Sequence, residues 1–227
     1  HVRRAEPGAV AFDLLTGAPP DGALAGAGGV VCLAGVTSGD PGTLAANADL
    51  AVAAVALADR HGLGPVLCLS SAAVYGRAEG AQAEDGRPVP ASPYGAAKIA
   101  MEDAVAGLPG VTCLRLANVA GCDALFGAMA RGGVRLDRFA DGTAPRRSYV
   151  GPVTLARALV GLLDRGADLP PVLNLAQPGT VAMDAVLAAA GVPWTDVPAP
   201  PGALRENALG TGRLAGVVAL PRADPAT

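Results

Sequence analysis

"GVVCLAGVTSGDPGTLAANADLAVAAVALADRHGLGPVLCLSS", residues 29–71, decides the fold. Its first run, 29–36, is apolar without alternation, as in a strand buried on both faces. Residues 41–62 carry Pro near the start, Gly at the end and Ala and Leu between, the signature of a helix. "PVLCLSS" (65–71) is a second unbroken apolar run. Strand, helix and strand of this kind form the repeating unit of a parallel sheet.

The rhythm continues on both sides. "VAFDLL" (10–15) reads as a strand. "SPYGAAKIAMEDAVAGLPG" (92–110) reads as a helix whose Ser-Pro suits an N-cap and first turn, and "VTCLRLANV" (111–119) as a further strand. The expected fold is α/β, a Rossmann-like doubly wound parallel sheet. Ligands of such sheets bind beyond the carboxyl ends of the strands, which singles out "AGVTSGD", "SSAAVYG" and "ANVAG". From about residue 120 the elements become short and mixed. The predicted division is a Rossmann-type domain over 1–120 and, over 121–227, a small C-terminal substrate lobe with elements returning to the sheet.

Composition narrows the function. The 227 residues are 51% hydrophobic and only 3% aromatic, so Ala, Val and Leu build the core. A net charge of −3 with scattered arginines is not the footprint of a nucleic-acid binder. The longest apolar stretch, 44–58, contains Asn47 and Asp49 and reads as a buried helix, so no membrane span is expected. The opening "HVRRAEPGAVAFDLL" lacks a signal-peptide pattern. Cys32, Cys68, Cys113 and Cys122 show no CxxC spacing and read as buried free thiols of a cytoplasmic protein. Histidine is limited to His1 and His61, which removes most zinc chemistry, and no metal site is expected.

Lys98 is the only lysine among seventeen Lys and Arg, and it lies four residues after Tyr94, one of three tyrosines. On a helix the two share a face. A compact ammonium beside a phenol stabilises phenolate and draws its pKa down toward the range of a general base. The plain alternative is a solvent-facing helix lysine. Ser71, at the carboxyl end of the strand before this helix, completes a Ser–Tyr–Lys set in which the hydroxyl bonds a substrate oxygen while the phenol moves a proton. Ser70 is the competing serine, and Tyr75 reads as a packing or lining residue.

Six pieces, "CLAGVT" (32–37), "LAANADLAVAAV" (44–55), "VLCLSSAAVYG" (66–76), "SPYGAAKIAMED" (92–103), "LRLANVAG" (114–121) and "RRSYVGPVTLARAL" (146–159), resemble in order the extended short-chain dehydrogenase/reductase family, in its NAD-dependent epimerase/dehydratase branch. The resemblance implies Ser71, Tyr94 and Lys98 as the catalytic set, with Lys98 on the nicotinamide ribose. It implies Asp13 and Leu14 at the adenine edge, Leu33, Ala34 and Gly35 in the loop beside the cofactor, and Asn47 ordering the site. On the substrate side it implies Asn118 and Arg147, the latter on a phosphate. Each has a plainer reading: Asn118 as a turn cap, Arg147 as a surface arginine.

The cofactor so implied is NAD or NADP, the substrate a small hydroxyl or keto compound of the nucleotide-sugar kind, and the assembly a homodimer. Leu116 stands where the family's epimerases often have an aromatic residue, and Gly151-Pro152 where it often has His and an acid. These departures leave open a carbonyl reductase or dehydrogenase on a non-sugar substrate. The family also opens with a glycine-rich β–α–β unit that holds the pyrophosphate. "GAGG" (26–29) precedes a strand instead of following one, so that unit is expected upstream of His1. Without it, a nucleotide-sensing or scaffold protein with no turnover is the remaining reading.

Overall fold

The computed structural model describes residues 8–225; His1 lies outside them. The elements run β1 (Val30–Cys32), α1 (Pro41–Arg60), β2 (Val66–Ser71), a 3-10 turn (Ala72–Tyr75), β3 (Ala81–Gln82), α2 (Pro93–Ala104), β4 (Val111–Leu116), β5 (Asn118–Val119) and α3 (Ala124–Arg131). There follow β6 (Val134–Arg138), β7 (Arg146–Arg147), β8 (Tyr149–Val150), α4 (Pro152–Asp164), β9 (Val172–Leu175), β10 (Val181–Ala182), α5 (Met183–Ala189), β11 (Trp194–Pro198), β12 (Glu206–Leu209) and α6 (Gly212–Ala215).

The fold is α/β, centred on an all-parallel sheet of order β1-β2-β4-β9. Two of its helices, α1 and α2, begin where the sequence places oxygen-bearing caps. Asp40 accepts from Thr43 N at 2.8 Å ahead of Pro41, and Ser92 accepts from Gly95 N at 3.1 Å ahead of Pro93.

The two faces of the sheet have separate cores. On one, Val66, Cys68, Val111 and Cys113 pack against Ala51, Ala54 and Ala58 of α1 and Met101 and Val105 of α2. On the other, Leu67, Leu114, Leu173 and Leu175 pack against Ala158 and Leu162 of α4 and Leu214 of α6. The step from β4 to β9 crosses the sheet in the same direction as the two steps before it, yet α4 lies on the opposite face. This crossover therefore has the opposite hand to the other two, which is rare for parallel strands. It leaves the β9 part of the α2 face without a helix. The segment around 82–90 covers that part instead, and Asn174 of β9 ties it to the end of β12: Nδ2 donates to Gln82 O at 2.8 Å and to Gly210 O at 3.0 Å.

The sequence expectations fail in three places. Residues 10–15 form no strand; Ala11 makes an isolated bridge and Asp13 closes a turn, its carboxylate accepting from Leu15 N and its carbonyl from Gly17 N. The α2 helix stops at Ala104 instead of 110, because Val105 leaves helical geometry and Gly107 and Gly110 take φ of 74° and 69°. The run 111–119 divides at Ala117: β4 stays in the main sheet while β5 pairs with β8.

The C-terminal half adds a mixed sheet of order β10-β7-β12-β3 and a β11–β6 pair, around Leu125, Leu136, Tyr149, Val181 and Leu187. By length and composition α1 could cross a membrane; here its Ala51, Ala54 and Ala58 pack on the sheet.

Candidate active site

Two ties join the end of β2 to α2: Lys98 Nζ donates to Leu69 O at 2.8 Å and the Ser70 hydroxyl to Glu102 Oε1 at 2.5 Å. The Ser71 hydroxyl acts on the neighbouring Tyr94 phenol, drawing its pKa down. Lys98 Nζ also lies 5.9 Å from the centre of the Tyr94 ring. The sequence-derived Ser71, Tyr94 and Lys98 thus converge beyond the carboxyl end of a parallel strand. Ser71 also accepts from Ala73 N at 3.2 Å, at the start of the 3-10 turn.

Lys98 is 5% exposed, which overturns its reading as a solvent-facing residue. Burial pulls its pKa down, partly offset by Cys32, Cys68, Cys113 and Glu102. The expectation that Lys98 draws the Tyr94 pKa down also fails. Burial of the phenol pushes it up, and the Ser71 hydroxyl is what opposes the rise. The ammonium stands over the ring and donates a hydrogen to the Leu69 carbonyl.

The loop after β1 is pinned onto this site by Asn47, 1% exposed, whose Nδ2 donates to Val36 O and whose Oδ1 accepts from Val36 N. Gly35 passes so closely that a Cβ there would stand 2.9 Å from Asn47 Oδ1 and 3.3 Å from Lys98 Nζ. Leu14, Leu33 and Ala34 line a cavity of about 320 Å³ beside β1, whereas Asp13 is exposed in its turn.

Asn118 lies apart from this group. It acts on the neighbouring Tyr149, drawing its pKa down, and the Tyr149 hydroxyl donates to Asp123 Oδ2 at 2.8 Å. Burial, then this contact with Asp123, raises the Tyr149 pKa. Tyr149, Phe126, Gln177 and Val181 line a second cavity of about 320 Å³. Arg147 is half-buried and donates to the carbonyls of Arg146, Leu204 and Arg205; its burial lowers its pKa. Among the described residues no group of three or more His, Cys, Asp or Glu side chains could hold a metal ion.

Sequence reasoning missed a buried polar network behind the site. Arg115 Nη2 and Nε bind Glu102 at 2.8 to 3.2 Å, and Nη1 donates to the Tyr75 hydroxyl at 2.9 Å. Tyr75 in turn donates to Asn174 Oδ1 at 2.8 Å. Burial works against the Arg115 charge, but its bonds to Glu102 and Tyr75 more than offset it and the net pKa direction is up. The available signal was the spacing Tyr94, Lys98, Glu102, four residues apart on one helix face. Three thiols, Cys32, Cys68 and Cys113, occupy one rung across β1, β2 and β4; Cys122, expected to be buried, is exposed on the loop before α3.

Residues 15–175 match the NAD dependent epimerase/dehydratase family, well over half of the chain. The chain belongs to this family. No curated protein matches the sequence significantly. Among solved structures, a UDP-glucose-4-epimerase from Stenotrophomonas maltophila with bound NAD and formylated UDP-arabinopyranose is similar at a TM-score of 0.73 and 21% identity, over 88% of this chain and 73% of that one. MoeE5 in complex with UDP-glucuronic acid and NAD is similar at 0.71 and 21%, over 98% and 84%. A dTDP-glucose 4,6-dehydratase double mutant from Streptomyces venezuelae is similar at 0.67 and 19%, over 88% and 70%. At these identities the likeness establishes the fold.

Proposed function

We propose that this member of the family is an NAD- or NADP-dependent oxidoreductase of the epimerase/dehydratase type, acting on a hydroxyl or keto group of a nucleotide sugar. The observation that carries the reading is the convergence of Ser71, Tyr94 and Lys98 at the end of β2. The residues fit a nicotinamide cofactor. The bare backbone of Gly35 leaves a close approach beside Lys98, and of the three hydrogens of the lysine ammonium Leu69 O takes one and Met101 Sδ a second, weaker one, which leaves the third for the cofactor. Lys98, Asn47 and Gly35 would hold the nicotinamide ribose, and Leu14, Leu33 and Ala34 the adenosine side, with Asp13 at its edge.

When bound, that cofactor accepts or supplies hydride. Tyr94 then takes or returns the hydroxyl proton at its phenolic oxygen, and Ser71 orients the substrate oxygen. Lys98 would hold the ribose hydroxyls and so place the nicotinamide beside Tyr94, while Ser71 opposes the rise that burial imposes on the phenol. Asn118 and Arg147 would contact the substrate, with the Arg147 fork suited to a phosphate. The same reading divides the chain into a cofactor-binding part, 1–120, and a substrate lobe, 121–227, working as a cytoplasmic homodimer.

Titration with NAD and NADP, followed by turnover of a panel of UDP- and dTDP-sugars, tests this. Tyr94→Phe is expected to cut turnover by about 10²- to 10⁴-fold with cofactor affinity kept. Gly35→Ala is expected to weaken cofactor binding by crowding Asn47 and Lys98. A Tyr94→Phe protein as active as the parent would refute the assignment. A reductase acting on simple ketones is the second reading, favoured by Leu116 in place of an aromatic residue.

A further inference from the structure

The site is held by a pair of residues that take no part in the proposed chemistry. Along β2, Val66 and Cys68 face the helices, and Ser70 continues that alternation. The residue is 3% exposed, and its hydroxyl reaches Glu102, two helical turns beyond Tyr94. Glu102 does not float on this contact. Arg115 grips both of its carboxylate oxygens from β4, the next strand in the sheet. Glu102 is thus a fixed post carried by α2 and braced on β4, and Ser70 is the point at which β2 is fastened to that post. Ser71 follows directly. Its hydroxyl accepts from Ala73 N and acts on the phenol of Tyr94, so any slip of the β2 end against α2 alters the approach of Ser71 to Tyr94.

We propose that Ser70 and Glu102 are positioning residues: their hydrogen bond sets the register of α2 against the end of β2 and so keeps the Ser71 hydroxyl beside the Tyr94 phenol. The inference rests on reading Ser71 and Tyr94 as the reacting pair, but its test needs neither substrate nor turnover. The Leu69–Lys98 tie alone does not fix this register, because an ammonium on a flexible stem follows its carbonyl through small shifts, whereas the Glu102 carboxylate is braced from two strands. The charged group over the Tyr94 ring is Lys98, and Cys32, Cys68 and Cys113 on the three strands and Glu102 on α2 act on Lys98 in turn. None of these is altered in the test.

The chain has three tyrosines, so replacing them with 3-fluorotyrosine gives three fluorine lines, assigned with Tyr94→Phe, Tyr75→Phe and Tyr149→Phe. The fluorinated phenol titrates lower than tyrosine, which brings its midpoint closer to neutral pH. Ser71→Ala is expected to raise the Tyr94 midpoint, since the Ser71 hydroxyl is what holds it down. Ser70→Ala is expected to raise it by most of the same displacement, and Ser70→Thr, which keeps a hydroxyl, to return it to the parent value. Urea midpoints confirm that each variant is folded. The proposal is overturned if Ser70→Ala leaves the Tyr94 midpoint in place while Ser71→Ala moves it, if Ser70→Thr behaves like Ser70→Ala, or if Ser71→Ala has no effect. Failure of the protein to turn over any nucleotide sugar bears on the proposed function and leaves this result standing.

Discussion

Arginine meets carboxylate in two very different settings in this protein. Under α2, Glu102 and Arg115 form a pair whose side chains are 8% and 5% exposed, with their remaining polar atoms bonded to Ser70 and Tyr75. In the C-terminal half, Arg138 bridges Asp184 and Asp196, and Arg205 binds Asp141 while lying 4.2 Å from the centre of the Phe139 ring, all within reach of water. The same chemical partners do different work. In the dry setting each charge depends on the other, because neither can be solvated if its partner is removed. In the wet setting solvent replaces whichever partner is lost. The buried pair therefore locks one arrangement of β2, β4 and α2, while the exposed pairs trim the edges of the C-terminal sheets.

The largest test of this contrast is Glu102→Ala. Leaving Arg115 buried without its carboxylate is expected to cost about 3–5 kcal/mol, read as a lowered urea midpoint at unchanged slope. A loss no greater than that of a surface substitution would erase the distinction between the two settings. Arg138→Ala comes next, expected to move the midpoint by only a small fraction of the Glu102→Ala shift although it removes two ion pairs at once. The smallest effect is one of pH. Arg205, then Thr143, holds the Asp141 carboxyl at about 2 in the folded protein, below the roughly 3.9 of an unfolded chain. The folded pKa is the lower one, so this stabilisation is present above about pH 4 and is lost as pH falls toward 2. Asp141→Asn should therefore narrow the gap between midpoints measured at pH 5 and near pH 2, and added salt should shrink the effect further.

What was legible in the sequence follows the same division. The strand–helix–strand unit at 29–71 could be read because unbroken apolar runs and oxygen-bearing caps are local signals, and so could Tyr94 and Lys98, which are neighbours on one helix. The segment 10–15 has a strand's composition but closes on itself through Asp13, and composition alone does not supply a pairing partner. Arg115 was hidden for another reason. It lies 13 residues from Glu102 and meets it only because β4 is laid beside β2 in register. The hand of the crossover to β9 was equally out of reach. No local pattern says which face α4 covers, and that choice is what requires Asn174 and the 82–90 segment to close the gap.

The rung of sulfurs across β1, β2 and β4 gives the molecule a built-in clock. Among the described residues Cys32 stands on β1, the first strand in the order of the main sheet, Cys68 is wholly enclosed next to it, and Cys113 is third in line, while Cys122 is open to solvent and sets the zero of time. A thiol-reactive label added to the native protein would tick off these four residues in the order in which the sheet opens, strand by strand, with no engineered reporter needed.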